Sequence, residues 1–417
     1  MSFKGDKSLI VGLDIGTSKV VALVGEYAPG QPIELIGLGT HDTRGMRRGV
    51  IVDIESTVQS IQEAIKEAEA SAGCEITSVS ASISGSHIEC RNSEGITPIR
   101  DQEVTHNELE RVIDAAKAVP IGADQRIIHA IPRDYVLDAT QEGIRNPLGM
   151  TGVRLEVNAH IVTSAASAAA NITRCVEKCG LNVDDLVFSG VASAEAVLTR
   201  DERDLGVILV DMGAGTTDIA VFVNGSIAHS KSLGVAGEKV TEDIAHMLRT
   251  PTSEAEQIKV RYACAQASMA RAEETIQVPS VGDRQPRRVQ RAALAQAVQA
   301  RYEEIFEMVQ AELRKSGFEQ HVRAGMVLTG GASRMEGVTE LAEEMMQMPV
   351  RVGIPQHATG NPVVMGNPVY ASAVGLLLLG AKNEESAGRR RGRSGKRLTS
   401  NGGGLLDRWK SWFEGNF

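Results

Sequence analysis

A strand that runs into Asp-x-Gly occurs twice in this chain, at Asp14-Ile15-Gly16-Thr17-Ser18 and at Asp211-Met212-Gly213-Ala214-Gly215-Thr216-Thr217. Each copy is entered from an apolar run, Leu9-Ile10-Val11 or Val207-Ile208-Leu209. Each leaves through a second one, Val20-Val21-Ala22-Leu23-Val24 or Ile219-Ala220-Val221-Phe222-Val223. Strand, glycine turn, strand is the pattern of a β-hairpin. The doubling asks for two related halves that face each other. Glycines let backbone N–H groups approach an anion, and a neighbouring carboxylate can hold a cation beside it. Two such turns closing on one phosphate chain make a nucleotide clamp.

A third glycine turn, Thr329-Gly330-Gly331-Ala332-Ser333, follows the strand-like Met326-Val327-Leu328. It is expected to open a helix over 335–346, whose N-terminus suits an anion or a ribose. The chain has no P-loop signature and no strand-linked dinucleotide fingerprint, so neither of those sites is supported.

At 417 residues the chain is long for one core, and two or more domains are expected. Between the hairpins, Val58, Ile61, Ile65 and Ala68 recur at helical spacing up to Gly73, and the strand-like Val79-Ser80-Ala81-Ser82-Ile83 follows. From about 84 to 161 the texture changes to an amphipathic helix at 106–119 and β-like runs at 126–131 and 154–162. This reads as a small α+β unit inserted into the first half. After the second hairpin, helices are expected at 237–248, 254–272 and 292–315, with a Pro/Gly/Arg-rich loop at 279–291. A small-residue helix at 368–381 closes the globular part.

The net charge of −9 argues against nucleic acid as a partner. Five scattered cysteines form no disulfide framework and fit a reducing cytoplasm; Cys175 and Cys179 read as buried thiols rather than metal ligands. No apolar run approaches the roughly 18 residues of a membrane span, and residues 1–7 lack signal-peptide features. Beyond Lys382 the segment 384–404, rich in Gly, Ser and Arg, is expected to be disordered. In 405–417, at about 100° per residue, Leu405, Leu406, Trp409, Trp412 and Phe413 share one face. With Arg408 and Lys410 beside them, they suit an anionic membrane interface. Arg284, Arg287, Arg288 and Arg291 form a basic loop, either a site for an acidic partner peptide or a merely solvated segment.

The order of hairpin, hairpin, then strand, glycine pair and helix resembles the actin-like ATPase superfamily. Residues 12–20 resemble its first phosphate motif, 207–223 its second, 326–343 its adenosine motif, and 189–198 and 368–381 its connecting helices. Within it, the insert, the aromatic tail and the run Gly190-Val191-Ala192-Ser193-Ala194-Glu195-Ala196-Val197-Leu198-Thr199 resemble the bacterial cell-division family FtsA. The resemblance implies an α/β, two-lobed actin-like fold of duplicated ribonuclease-H-like halves, with a small inserted α+β subdomain, a disordered linker and an amphipathic helix. The first lobe would be 1–83, completed by 162–199 and 368–382, with the insert at 84–161. The second would be 200–236 and 299–367, with an upper subdomain at 237–298. The linker would be 383–404 and the membrane helix 405–417.

The same resemblance implies ATP and Mg²⁺ as cofactors, with Asp14 and Asp211 acting on Mg²⁺ through water. Nucleotide contacts would come from Gly16, Thr17, Ser18, Gly213, Ala214, Gly215, Thr216 and Thr217, and from Gly330, Gly331 and Ser333 near the adenosine. Glu238, Lys239, Glu256 and Lys259 are further contacts on helices. The implied partners are the C-terminal peptide of the tubulin-like FtsZ, FtsN and other division proteins, and copies of the chain itself in filaments. The implied place is the cytoplasmic face of the inner membrane at midcell. Many superfamily members start the first connecting helix with a Gln or Glu that orients the attacking water. Here the stretch is Ser189-Gly190-Val191-Ala192, with Glu195 a turn further on, so at most a slow ATPase is expected. An actin-fold small-molecule kinase and a membrane-associated pilus-assembly adaptor are the alternatives.

Overall fold

The structure, a computed structural model, describes residues 7–279 and 285–393. The first hairpin pairs Ser8–Ile15 with Lys19–Tyr27, and the second pairs Val207–Met212 with Thr217–Val223. Their turns close alike, with Gly16 N–H on the Lys19 carbonyl at 3.1 Å and Gly213 N–H on the Thr216 carbonyl at 2.9 Å. Each hairpin gains a third antiparallel strand on one side, Ile33–Asp42 or Ser226–Leu233. On its other side it gains two parallel strands, Ser78–Ile83 and Asn182–Phe188 or Met326–Thr329 and Val350–Val352. The two sheets therefore share one order over five strands, as the doubled hairpin requires, and the first adds a sixth, Ala358–Thr359, beside Ile33–Asp42. Val20, Val21, Ala22, Leu23 and Val24 are all essentially inaccessible, because both faces of the sheet are covered. That is why such strands read as unbroken apolar runs rather than alternating ones.

The helix Ile54–Ala72 begins where the Asp53 carboxylate accepts the N–H groups of Glu55 and Ser56, and ends at Gly73 in left-handed backbone. Two further helices, Ser189–Val197 and Ala371–Arg393, run between the lobes. They cross at Gly375, where a Cβ would lie 1.7 Å from the Ala192 carbonyl oxygen, so the two backbones touch. The second of them also lies on Ser8–Ile15, where a Cβ on Gly12 would come within 2.7 Å of the Ala373 carbonyl oxygen.

The insert is a four-stranded antiparallel sheet in the order Glu89–Pro98, Arg154–Ala165, Gln125–Leu137, Gln141–Ile144. The helix His106–Lys117 packs on it, opened by a capping box between Thr105 and Glu108. Each lobe and the insert has its own apolar core.

Several sequence expectations are corrected. Residues 383–393 continue the helix Ala371–Arg393, where a disordered linker was expected from 383. Lys382 and Asn383 anchor that extension, donating to Glu195 at 2.6 Å and to Asp185 at 2.8 Å. The helix expected at 254–272 is Thr252–Tyr262 followed by a 3-10 turn, Ala267–Met269. Between them Ala265 N–H is drawn away to the Glu336 carbonyl at 2.7 Å. The glycine pair 330–331 opens a 3-10 turn, Gly331–Arg334, rather than a helix over 335–346. The α-helix Val338–Met346 starts only after Gly337 takes a φ of 78°. The boundary expected at 298/299 falls inside one continuous helix, Arg291–Ser316. Part of the loop at 279–291 is strand: Arg287–Gln290 pairs with Thr275–Val278.

Candidate functional site

The three glycine turns meet over one cleft of 480 Å³ between the lobes. Asp14, Gly16, Thr17 and Ser18 line it from the first hairpin, Asp211, Gly213, Ala214, Gly215 and Thr216 from the second, and Gly330 and Gly331 from the third turn. The approach is at backbone distance: a Cβ on Gly215 would sit 2.4 Å from Thr17 Oγ1. Gly330 is required twice over, by its φ of 82° and by an Asp211 carboxylate oxygen that would lie 2.3 Å from its Cβ.

Serines from neighbouring elements orient the carboxylates. Ser82 donates to Asp14 at 2.7 Å and itself accepts Ile15 N–H at 2.9 Å. Asp211 accepts the hydroxyls of Ser193 and Ser372, one from each connecting helix. A third carboxylate, Asp218, stands directly opposite Asp211 in the hairpin register and accepts the Ser84 hydroxyl at 2.7 Å. Burial raises the pKa of all three. It lifts Asp14 to about 6 and Asp218 to about 7, with the nearby charge of Asp211 adding to both. Buried, mutually repelling carboxylates are relieved by a cation, and an all-oxygen donor set suits a hard ion such as Mg²⁺. Among the described residues no three metal-ligating side chains converge tightly enough to hold an ion alone.

Two cations answer the acidic side. Lys19 and Arg334 both border the cleft, and neither is in an ion pair among the described residues. Lys19 lies 5.7 Å over the Tyr370 ring, and burial together with Arg334 lowers its pKa.

The remaining expected contacts divide. Glu256 and Lys259 line the cleft, where Lys259 pairs with Glu256 at 2.7 Å and donates to the Gly237 carbonyl at 3.1 Å. Glu238 is exposed and Lys239 pairs with Glu242 at 2.9 Å; neither borders the cleft. Thr217 and Ser333 are buried and hold turns, donating to the carbonyls of Val235 and Gly330, each at 2.7 Å. Arg287 donates to the Leu248 carbonyl, Arg291 bridges Glu274 and Glu336, and Arg288 is exposed. Arg284, and all of Leu405, Leu406, Arg408, Trp409, Lys410, Trp412 and Phe413, lie outside the described residues.

Sequence reasoning missed Lys19, Ser84, Asp218 and Arg334. Asp218 had a signal, since hairpin register places it opposite Asp211. Ser84 had none, because only tertiary folding brings it to the second lobe. Glu195 faces away from the cleft. Burial alone would raise its pKa, but Arg203 and then Lys382 hold the carboxyl down at about 2.

Two duplicated sheets, two crossing helices and paired Asp-Gly turns over one cleft define an actin-like ATPase fold. Solved structures agree on the fold. The PilM-PilN type IV pilus biogenesis complex superposes with a TM-score of 0.62 at 18% identity, covering 89% of this chain and 98% of that one. MreB 5 of Spiroplasma citri bound to AMPPNP gives 0.53 at 13%, covering 92% and 98%. A family profile described as Cell division protein FtsA matches residues 208–375, and one described as SHS2 domain inserted in FTSA matches 85–163. Cell division protein FtsA of Pseudomonas aeruginosa is 55% identical over 411 residues, covering 98% of each chain. The chain belongs to the FtsA family of cell division proteins. Among the described residues, no helix is long and apolar enough to cross a membrane.

Proposed function

We propose that this chain binds Mg-ATP between its lobes and polymerises in that state on the cytoplasmic face of the inner membrane at midcell. There it tethers FtsZ filaments and recruits FtsN and later division proteins. The observation that carries the reading is the convergence of Asp14, Asp211 and two backbone turns on one cleft. Bound Mg²⁺ would neutralise phosphate charge. Asp14 and Asp211, fixed by their serines, would order its waters, while the amides of 16–18 and 213–216 would cradle the phosphates. The adenosine would lie by Gly330 and Gly331.

Hydrolysis is slow in this reading, so the bound state persists. Ser189, at the start of the first connecting helix, donates to the Ile83 carbonyl at 3.4 Å, and Glu195 is locked in its ion triad. Asp218 is a further buried carboxyl beside the hairpin turns, and it already accepts the Ser84 hydroxyl. The tail 405–417 would insert its aromatic face into the bilayer, each basic residue adding about 1 kcal/mol at an anionic surface. A filament displaying many tails multiplies that weak affinity through effective concentration. Arg288, together with Arg284, would meet the acidic FtsZ peptide, since Arg287 and Arg291 are engaged within the lobe.

Equilibrium binding of a fluorescent ATP analogue with Mg²⁺ tests the core of this. Asp14→Asn and Asp211→Asn should lose binding, and unchanged affinity in both would defeat the reading. Pelleting with anionic vesicles tests the tail: deletion of 405–417 should abolish co-sedimentation. A turnover of sugars at enzymic rates would favour the kinase instead.

A further inference from the structure

The segment that supplies Ser82 to Asp14 does not stop at the cleft. Two residues on, Ser84 Oγ donates to Asp218 at 2.7 Å and lies 3.0 Å from Thr216 Oγ1 and 3.2 Å from Ser232 Oγ, all three in the second lobe. The next residue, Gly85, donates its N–H to Ser232 Oγ at 3.1 Å. Its φ of 132° turns the chain, and the first strand of the insert begins at Glu89.

Ser232 is one end of a row. Along the strand Ser226–Leu233, Ser230 and Ser232 share one sheet face, and Ala228 sits at a bulge just before them. The Ala228 carbonyl accepts Asn92 Nδ2 at 3.2 Å, and Ser230 Oγ lies 2.9 Å from His160 Nε2. Asn92 and His160 belong to the insert and bond each other at 2.8 Å. The strand Ser226–Leu233 thus meets the cleft side through Ser232 and the docking surface of the insert through Ser230 and the Ala228 carbonyl.

We propose that Ser84 is a latch through which occupancy of the cleft sets how the insert docks on the second lobe. The latch rests on the Mg-nucleotide reading of the cleft. Ser84 has a single hydroxyl proton; while Asp218 takes it, Ser84 Oγ can meet the Thr216 and Ser232 hydroxyls only as an acceptor. When Asp218 turns to the water shell of a bound cation, Ser84 loses that acceptor. Its O–H then turns to donate to the Thr216 or Ser232 oxygen. Ser232 already holds Gly85, so the exchange acts on the residue that leads into the insert. Coupling of this kind is reciprocal: an insert pulled from that strand changes nucleotide affinity by the same factor.

Cys90 gives a local readout. It lies on the first insert strand with its Sγ 3.5 Å from His229 Nδ1 of the second lobe, so undocking exposes it. Alkylation of the full chain, with Cys90 quantified by peptide mass spectrometry, is followed with and without Mg-nucleotide at saturating, separately measured occupancy. In the unsubstituted chain the Cys90 rate should change about fivefold or more with occupancy. At nucleotide occupancy matched to that of the unsubstituted chain, Ser84→Ala should show one rate in both states, and Ser84→Thr, which keeps the hydroxyl, should restore the difference. A Ser84→Ala chain that binds nucleotide and keeps the full difference overturns the latch alone. An unsubstituted chain whose Cys90 rate ignores bound nucleotide also overturns it, and one that binds no nucleotide overturns the cleft reading with it.

Discussion

Glu195→Gln should destabilise this protein by about 3 kcal/mol at neutral pH while leaving every side-chain volume nearly unchanged. The carboxylate receives both terminal nitrogens of Arg203 at 3.2 Å and Lys382 at 2.6 Å, in a site where Glu195 and Arg203 are almost fully buried. It titrates at about 2 against an ordinary 4.5. At about 1.4 kcal/mol per tenfold change in protonation, that depression favours the charged, folded form by about 3 kcal/mol. Removing one partner of a buried ion pair costs about 3–5 kcal/mol by an independent route, because the remaining charges are left uncompensated. The folded pKa is depressed, so the stabilisation is complete above about pH 4.5 and is lost as pH falls towards 2. Urea denaturation followed by circular dichroism at pH 7 and at pH 3 reads both claims. The gap between the two proteins should be near 3 kcal/mol at pH 7 and less than half of that at pH 3. A gap below about 1 kcal/mol at pH 7, or one that does not shrink in acid, would refute the ion-triad reasoning.

Other substitutions probe the cleft and the hinge. Asp218 titrates at about 7 and must ionise to face a cation, so Mg-nucleotide affinity should rise about tenfold between pH 6 and pH 8. Asp218→Asn in the same buffers, which leaves the nucleotide's own titration in place, should lose that part of the slope; parallel slopes would count against the site. Gly330→Ala meets both a left-handed φ, costing about 1–2 kcal/mol, and the Asp211 carboxylate. It should bind nucleotide at least tenfold more weakly, and calorimetry showing normal affinity would contradict the assigned geometry. Gly375→Ala forces the crossing helices apart, and overpacking of this kind costs about 1–3 kcal/mol or more. A melting temperature equal to that of the unsubstituted chain would show that the helices do not cross backbone to backbone.

The parts that were legible in the sequence are those encoded locally. Asp14 and Asp211 announced themselves because a glycine turn between two apolar strands is a short-range pattern, and Val20 to Val24 read as the second of those strands. The insert was visible as a change of texture, but two of its strands were not. Glu89–Pro98 alternates exposed, polar positions with few buried ones, and Gln141–Ile144 is only a short edge. The over-long helix at 254–272 failed for a tertiary reason, since the Glu336 carbonyl that captures Ala265 N–H is far away in sequence. Ser193 and Ser372 likewise reach Asp211 from two helices that sequence alone does not bring together. The first turn of each supporting contact was readable; the partner across the fold was not.

The helix Ala371–Arg393 lies against the first strand of the chain, with Gly12 making room for the Ala373 backbone. The ribosome therefore delivers the roof of the first sheet after the insert and the second lobe. The insert and much of the second lobe close on contacts nearer in sequence and can form before it. Strand Ser8–Ile15 must wait, paired but uncovered on one side, until residues 371–381 have been made. A chain released before residue 371 lacks that cover and also lacks everything that follows it, including the aromatic segment 405–417. The residues proposed to hold the membrane are thus synthesised only on chains that already carry the cover for strand Ser8–Ile15.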